Sequence, residues 1–315
     1  MKKLLFALAG SVLLIGAAVT YTLNARQGSA TEEQAAEQLT LAPGQLFFRS
    51  TATGRISAVS AADPGGARRS SGLKCDRFAV ARKTAVCLAA RPGVLPPITD
   101  VLVLDANLAV RHQESLPGTP SRARVSPDGK LVYWTLFVTG DSYAETGFST
   151  RAGLYDVGSG QLVKTIEELP VFADGERYFA SDVNYWGITF APDSNRFYAT
   201  LGSKGKTYLV EGDYAHYRGK TVRENVECPS LSPDGKRIAF KKKISEGVWR
   251  LAVLDLATLR ETELAETRSV DDQALWQDGS TVLYGLGNDV WAVRADGSGS
   301  PRLVARDAAS PAVTS

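Results

Sequence analysis

Short apolar runs rich in β-branched and aromatic residues recur along the chain, each entered through the same kind of polar turn. Leu131-Val132-Tyr133-Trp134 follows Ser126-Pro127-Asp128-Gly129-Lys130, and Arg196-Phe197-Tyr198-Ala199 follows Ala191-Pro192-Asp193-Ser194-Asn195. Arg237-Ile238-Ala239-Phe240 follows Ser232-Pro233-Asp234-Gly235-Lys236, and Thr281-Val282-Leu283-Tyr284 follows Gln277-Asp278-Gly279-Ser280. Proline presets φ, aspartate bonds back to the backbone and glycine accepts a positive φ, so each phrase predicts a tight turn between two strands. The four aspartates are 65, 41 and 44 residues apart. That interval is the period of a β-propeller blade.

Each repeat predicts an inner strand, the turn, a second strand, a third strand ending in aspartate, and a polar fourth strand. The third strands are Val101–Asp105, Gly153–Asp156, Leu251–Asp255 and Asp289–Asp296. On this template, blades fall at 73–118, 119–170, 183–224, 225–266 and 267–308, with Arg82-Lys83 as a degenerate turn in the first of these. Residues 45–72 supply only three strands. The missing inner strand is expected from Ala309-Ser310-Pro311-Ala312-Val313, which resembles Glu227-Cys228-Pro229-Ser230-Leu231. The prediction is an all-β, six-bladed propeller over 45–315, closed by its C-terminal strand so that no sheet edge is left open. Two insertions, Thr139–Thr150 and Val171–Asp182, lengthen loops beyond what the repeat requires, which makes them candidate binding loops.

The N-terminus departs from this pattern. Lys2 and Lys3 precede twenty uncharged residues, Leu4 to Leu23. Such a run suits either a cleaved signal peptide or an uncleaved membrane anchor, and residues 1–26 are read as one of these. The lysines before it place the body of the chain outside the cytoplasmic membrane, single-pass anchored or secreted. Residues 27–44, rich in Ala, Gln and Glu, read as a polar tether. Cys75 and Cys87 flank a predicted hairpin, and pairing about Ala81 sets them opposite one another, so an exported protein can join them in a disulfide. Cys228 is left over and is expected to be packed and inert in an inner strand.

Composition narrows the function without naming it. The chain has 315 residues, a formal net charge of +2 and only two histidines. Near-neutral charge argues against a nucleic-acid platform. So little histidine disfavours a His-rich metal site or a Ser-His-Asp hydrolase, and no Gly-x-Ser-x-Gly, His-Glu-x-x-His or Cys-x-x-Cys occurs. Gly205-Lys206-Thr207 resembles the end of a phosphate-binding loop but joins two strands, so it reads as a hairpin turn. Lys241-Lys242-Lys243 reads as a solvated blade rim, and His216 as a surface residue.

Positions just before each inner strand converge on the mouth of a propeller channel. Here they hold Asp182, Asn184, Tyr185 and Trp186, then Glu227, then Asp271 and Asp272. Acids and amides suit a hard cation such as Ca²⁺ or a cationic ligand, and the aromatics suit a sugar or an apolar side chain. The opposing expectation is that the acids cap strand ends or pair with Arg122, Arg124, Arg223 and Arg268.

The Ser-Pro-Asp-Gly-Lys turns and the third strands ending in aspartate resemble the WD40-like repeats of TolB-type propellers, well over residues 119–304 and weakly over 45–118. The whole is similar to exported TolB-like proteins. TolB proper carries an α/β domain before its propeller, whereas only the segment 27–44 precedes this one. The resemblance therefore implies the propeller but not that domain's partners. It implies fold more than activity, since such repeats also build peptidase side domains and lyases. The favoured expectation is a monomeric, non-enzymatic scaffold without a cofactor, binding a protein or cell-envelope component through its channel face and long loops. The alternatives are an extracellular carbohydrate-active enzyme and a cation or small-ligand sensor, both using the channel-mouth carboxylates.

Overall fold

The computed structural model describes residues 38–138 and 149–314, which form six antiparallel blades around a central channel. The N-terminal signal or anchor, most of the tether and the Thr139–Thr150 insertion up to residue 148 lie outside the described residues. Blade one comprises β1 (Gln45–Ser50), β2 (Arg55–Ser60) and β3 (Arg69–Lys74). Blade two has β4 (Arg77–Ala81), β5 (Thr84–Ala90), β6 (Ile98–Leu104) and β7 (Val110–Pro117). Blade three has β8 (Thr119–Val125), β9 (Leu131–Val138), β10 (Ser149–Asp156) and β11 (Leu162–Val163). Ahead of blade four proper come β12 (Val171–Ala173) and β13 (Glu176–Tyr178), followed by β14 (Asn184–Phe190), β15 (Arg196–Ser203), β16 (Lys206–Asp213) and β17 (Arg218–Glu224). Blade five has β18 (Glu227–Leu231), β19 (Arg237–Ser245), β20 (Val248–Asp255) and β21 (Glu261–Glu263). Blade six has β22 (Leu275–Trp276), β23 (Thr281–Leu286), β24 (Asp289–Arg294) and β25 (Arg302–Ala305), and the chain ends on β26 (Ala308–Val313).

β26 is the inner strand of blade one, hydrogen-bonded to β1 with Leu46 opposite Val313 and Phe47 opposite Ala312. The first and last strands thus close the ring. The turns form as their residues dictate. Asp128 Oδ1 accepts from the Ser126 hydroxyl at 2.7 Å and the Lys130 amide at 3.1 Å, while Gly129 sits at φ +80°. Asp193 accepts from Asn195 and Arg196, and Asp278 from Ser280 and Thr281, in the same manner.

The core is a ring, not a centre. Six clusters of buried apolar side chains lie among the described residues, one between each pair of successive blades. Alternation along each strand gives it one apolar set for each neighbouring blade, which makes the blades' stability additive around the ring. No helix among the described residues is long and apolar enough to cross a membrane.

Three details depart from the sequence reading. The Val171–Asp182 insertion folds back as the β12–β13 hairpin, and β12 pairs parallel to β17, widening blade four to six strands. The tether ends earlier than residue 44: Leu39 and Leu41 are 1% and 6% exposed and pack between blades one and two. The Leu41 amide donates to the Ala106 carbonyl at 2.8 Å, so two apolar side chains and a backbone bond fix this segment. The hairpin register also differs. β4 and β5 pair with Ala81 opposite Thr84 and Phe78 opposite Cys87, so Cys75 lies beyond the strand and reaches Cys87 diagonally. The two are joined in a disulfide with a Cα–Cα separation of 5.4 Å, within the span that a disulfide can bridge.

Candidate functional site at the channel

All six inner strands, β26, β4, β8, β14, β18 and β22, contribute to one cavity of about 300 Å³. Four of them are bulged where they approach it: β8 between Pro120 and Arg122, β14 between Trp186 and Thr189, β18 between Glu227 and Ser230, and β26 where it meets β1. A bulge bends its strand and re-aims the side chains beside it. At Gly187, φ +65°, a Cβ would lie 2.6 Å from the Cα of Cys228, so only glycine allows β14 and β18 to come this close.

The predicted mouth residues separate into two groups. Glu227, Asp271 and Asp272 come together around the channel. Asp271 receives the Lys241 ammonium and lies 3.4 Å from the Arg122 guanidinium. Glu227 accepts from the Trp249 indole at 3.1 Å and lies 3.7 Å from Lys241. The Lys241 side chain is only 4% exposed and packs over the Trp249 ring at 4.4 Å. Asp272 accepts the Gly285 amide at 3.0 Å and lines the cavity. The other four serve blade four. Asp182 accepts from the Ser203 hydroxyl at 2.6 Å and caps the 203–206 turn. Asn184 accepts the Thr150 amide at 2.7 Å, linking blades three and four. Tyr185 is fully buried in the cluster between those blades, its hydroxyl without a partner among the described residues. Trp186 packs on Gly202, where a Cβ would meet its ring at 2.5 Å.

Cations stand beside Asp271 and Glu227. Desolvation works against the Asp271 charge, but Lys241, Arg122 and Arg77 outweigh it and hold its carboxyl below the usual range. Burial also opposes the Arg122 charge, and Cys228, Asp272 and Asp271 together raise its pKa above the ordinary arginine value. Among the described residues, no group of three or more His, Cys, Asp or Glu side chains is placed to hold a metal ion.

The sequence offered Arg122 and Arg124 only as partners for the mouth acids, and Lys241 only as part of a solvated rim. Arg124 donates to the Ala274 carbonyl at 3.1 Å, so Arg122 and Arg124 of blade three both reach blade six, which stands opposite in a six-bladed ring. Gln273 donates to the carbonyls of Ile188 and Pro229 at 3.1 and 2.8 Å, tying blade six to blades four and five. Lys241 is not on a solvated rim. Alternation along β19 turns it inward, while Lys242 and Lys243 pair with Glu261 and Glu246 at 2.6 Å each. The signal available was spacing: Arg122 and Arg124 stand two apart on an inner strand, hence on one face. The other two arginines expected to pair with the mouth acids pair elsewhere: Arg268 binds Glu266 at 2.6 Å and Arg223 lies 3.5 Å from Glu261. His216 is exposed and bonded to Asp213 at 2.7 Å.

This arrangement is a TolB-like propeller fold. The structure is similar to TolB from Acinetobacter baumannii, with a TM-score of 0.59 and 18% identity over 86% of this chain and 67% of that one. It is similar to a protein assigned as TolB from Agrobacterium tumefaciens, with a TM-score of 0.50 and 12% identity over 85% and 91%. Oligogalacturonate lyase from Vibrio parahaemolyticus matches with a TM-score of 0.50 and 13% identity over 82% and 75%. No protein-family model and no curated protein sequence matches the chain. At these identities the likeness speaks for the fold, which carries both binding proteins and enzymes.

Proposed function

We propose that this chain is an exported, non-enzymatic scaffold that recognises a protein or another cell-envelope component through the charged face of its channel. The observation carrying this reading is the cavity to which all six inner strands contribute, with Arg122 of its lining joined to the cluster of Asp271, Lys241 and Glu227. Such a concave site with a few convergent polar groups is the usual form of a binding site. Export is supported by the apolar run at Leu4–Leu23 and by the Cys75–Cys87 disulfide, since disulfides persist in oxidising compartments.

The chemistry of the acids favours binding over turnover. A glycosidase pair needs one carboxyl able to donate a proton. Asp271 is held in its charged form by Lys241, and both Glu227 oxygens are engaged by Trp249 and Lys241. A cation sensor is less well supported, because each of these acids already faces an ammonium or guanidinium. The test is crosslinking of the tagged full chain in cells, comparing the native protein with Asp271→Asn. One stoichiometric envelope partner, lost in the variant, is expected. Absence of any partner, under conditions that capture a control complex, refutes the scaffold reading.

A further inference from the structure

The cavity has a surplus of positive charge. Three arginines line it, Arg77 from β4 and Arg122 and Arg124 from β8, against one lining carboxylate, Asp272, and Asp271, which reaches Arg122 from outside the lining at 3.4 Å. Asp272 forms no ion pair with any of them and spends one oxygen on the Gly285 amide. The Nε atoms of Arg122 and Arg124 are buried and have no hydrogen-bond partner among the described residues. A buried donor without an acceptor is costly, more so when charged, so two on one lining strand mark an unfilled acceptor position. Burial acts unequally on the three: Arg122 keeps its charge with Asp271 and Asp272 beside it, while Arg124 and Arg77 are undercompensated. Burial lowers Arg124 to about 10 against the pull of Asp272 and Cys228. It lowers Arg77 as well, with Asp272 opposing and Arg122 and Arg49 reinforcing.

The rest of the wall restricts the ligand. Phe78, Phe190, Leu231, Trp276 and Val313 make much of it apolar. Its neutral polar groups are largely committed: Gln273 to two carbonyls, Thr189 to the Leu231 amide, and Ser232 to its own turn. A saccharide would bring many hydroxyls to few free partners, and each one buried unpaired is costly. An acid on an apolar body fits both ends of the cavity. Arginine is suited to the planar carboxylate, which its fork meets with two parallel bonds.

We propose that the channel cavity is a carboxylate-binding site, in which Arg77, Arg122 and Arg124 hold the acid and the apolar wall takes the small body that carries it. The proposal rests on the scaffold reading for its biological partner, the terminal carboxylate of a polypeptide being one source of this chemistry and a free organic acid the other. Volume is in keeping, since about 300 Å³ admits one or two residues and not a folded domain.

Calorimetric titration of the full chain tests it with N-acetylphenylalanine, its neutral amide, 3-phenylpropanoate and digalacturonate. Saturable binding of the two apolar acids, with the amide at least about tenfold weaker, is the expected result. Preference for N-acetylphenylalanine identifies a peptide terminus, and preference for 3-phenylpropanoate a free acid. Arg124→Gln removes a bond between opposite blades and can unfold the ring, so Arg77→Gln is the deciding variant. It is expected to keep the native unfolding transition and to weaken both acids about tenfold. Equal binding of acid and amide, binding of digalacturonate alone, or an Arg77→Gln protein with native affinity would each overturn the proposal. The two readings separate cleanly: a crosslinked partner with no acid binding defeats only the carboxylate site, and acid binding without a partner defeats only the scaffold.

Discussion

Gln45 and Thr314, 269 positions apart, hold the two ends of the propeller together. The Gln45 amide donates to the Thr314 hydroxyl at 3.2 Å, and the Thr314 amide donates back to the Gln45 carbonyl at 3.1 Å. The same hydroxyl donates to the Ala42 carbonyl at 2.5 Å. These bonds extend the β1–β26 ladder by one residue and seat Ala312 in the cluster between blades one and two.

Deletion of residues 309–315 therefore exposes β1 as an unpaired inner edge. The shortened protein is expected to aggregate or to lose its cooperative unfolding transition, because an open edge templates pairing between chains. Light scattering and thermal denaturation measure both, and a monomeric deletion variant of native stability would remove the closing role of β26.

The Cys75–Cys87 bond spans 12 residues and is buried between blades one and two. A loop of this size constrains the unfolded chain by about 3 kcal/mol. Reduction, or the double variant C75S/C87S, should lower the melting temperature by several degrees without altering the folded spectrum. Coincident melting curves for the oxidised and reduced protein would show that the bond contributes nothing.

Lys241 is the hub of the mouth, and its loss leaves Glu227 buried opposite no cation. Removing one partner of a buried pair typically costs about 3–5 kcal/mol. Lys241→Met is expected to fall in that range by urea denaturation. The double variant Lys241→Met/Glu227→Gln should recover part of the loss, because the orphaned charge goes with it. Additive effects in this cycle would contradict the coupling.

Glu167 gives the fold a pH dependence. Burial between blades three and four raises its pKa from 4.5 to about 7, against hydrogen bonds from Thr165, Ala152 and Thr150. A carboxyl whose folded pKa lies above its unfolded value binds more protons folded than unfolded between the two. Its stabilising effect is complete below about pH 4.5 and is lost as the pH rises through about 7. The full effect is at most about 3 kcal/mol. Glu167→Gln should flatten the stability profile between pH 5 and pH 8, and a variant profile parallel to the native one would exclude Glu167 as the source.

The candidate site was only half legible in the chain. Asp271 and Glu227 meet at Lys241 and Asp272 lines the cavity, since their distance from the repeated turn fixes where they fall relative to the inner strands. The same spacing puts Tyr185 at the mouth, yet it points into the core between blades. Neighbouring residues on a strand face opposite ways, and the bulge after Trp186 shifts the alternation in a manner no spacing records. Lys241 looked like part of an exposed basic run, because three like residues in a row conceal which one turns inward.

The fold itself was written locally. A Pro-Asp-Gly turn, its aspartate bond and the apolar run after it are interactions within a few residues, and their repetition at blade spacing determines six blades and the strand that closes them. The register of the β4–β5 hairpin, the docking of β12 on β17 and the meeting of Arg122 and Arg124 with blade six were settled only by tertiary structure. Those contacts join segments as many as 150 residues apart, and their geometry depends on how the six twisted sheets pack around the axis, a property of the whole ring and of no single repeat.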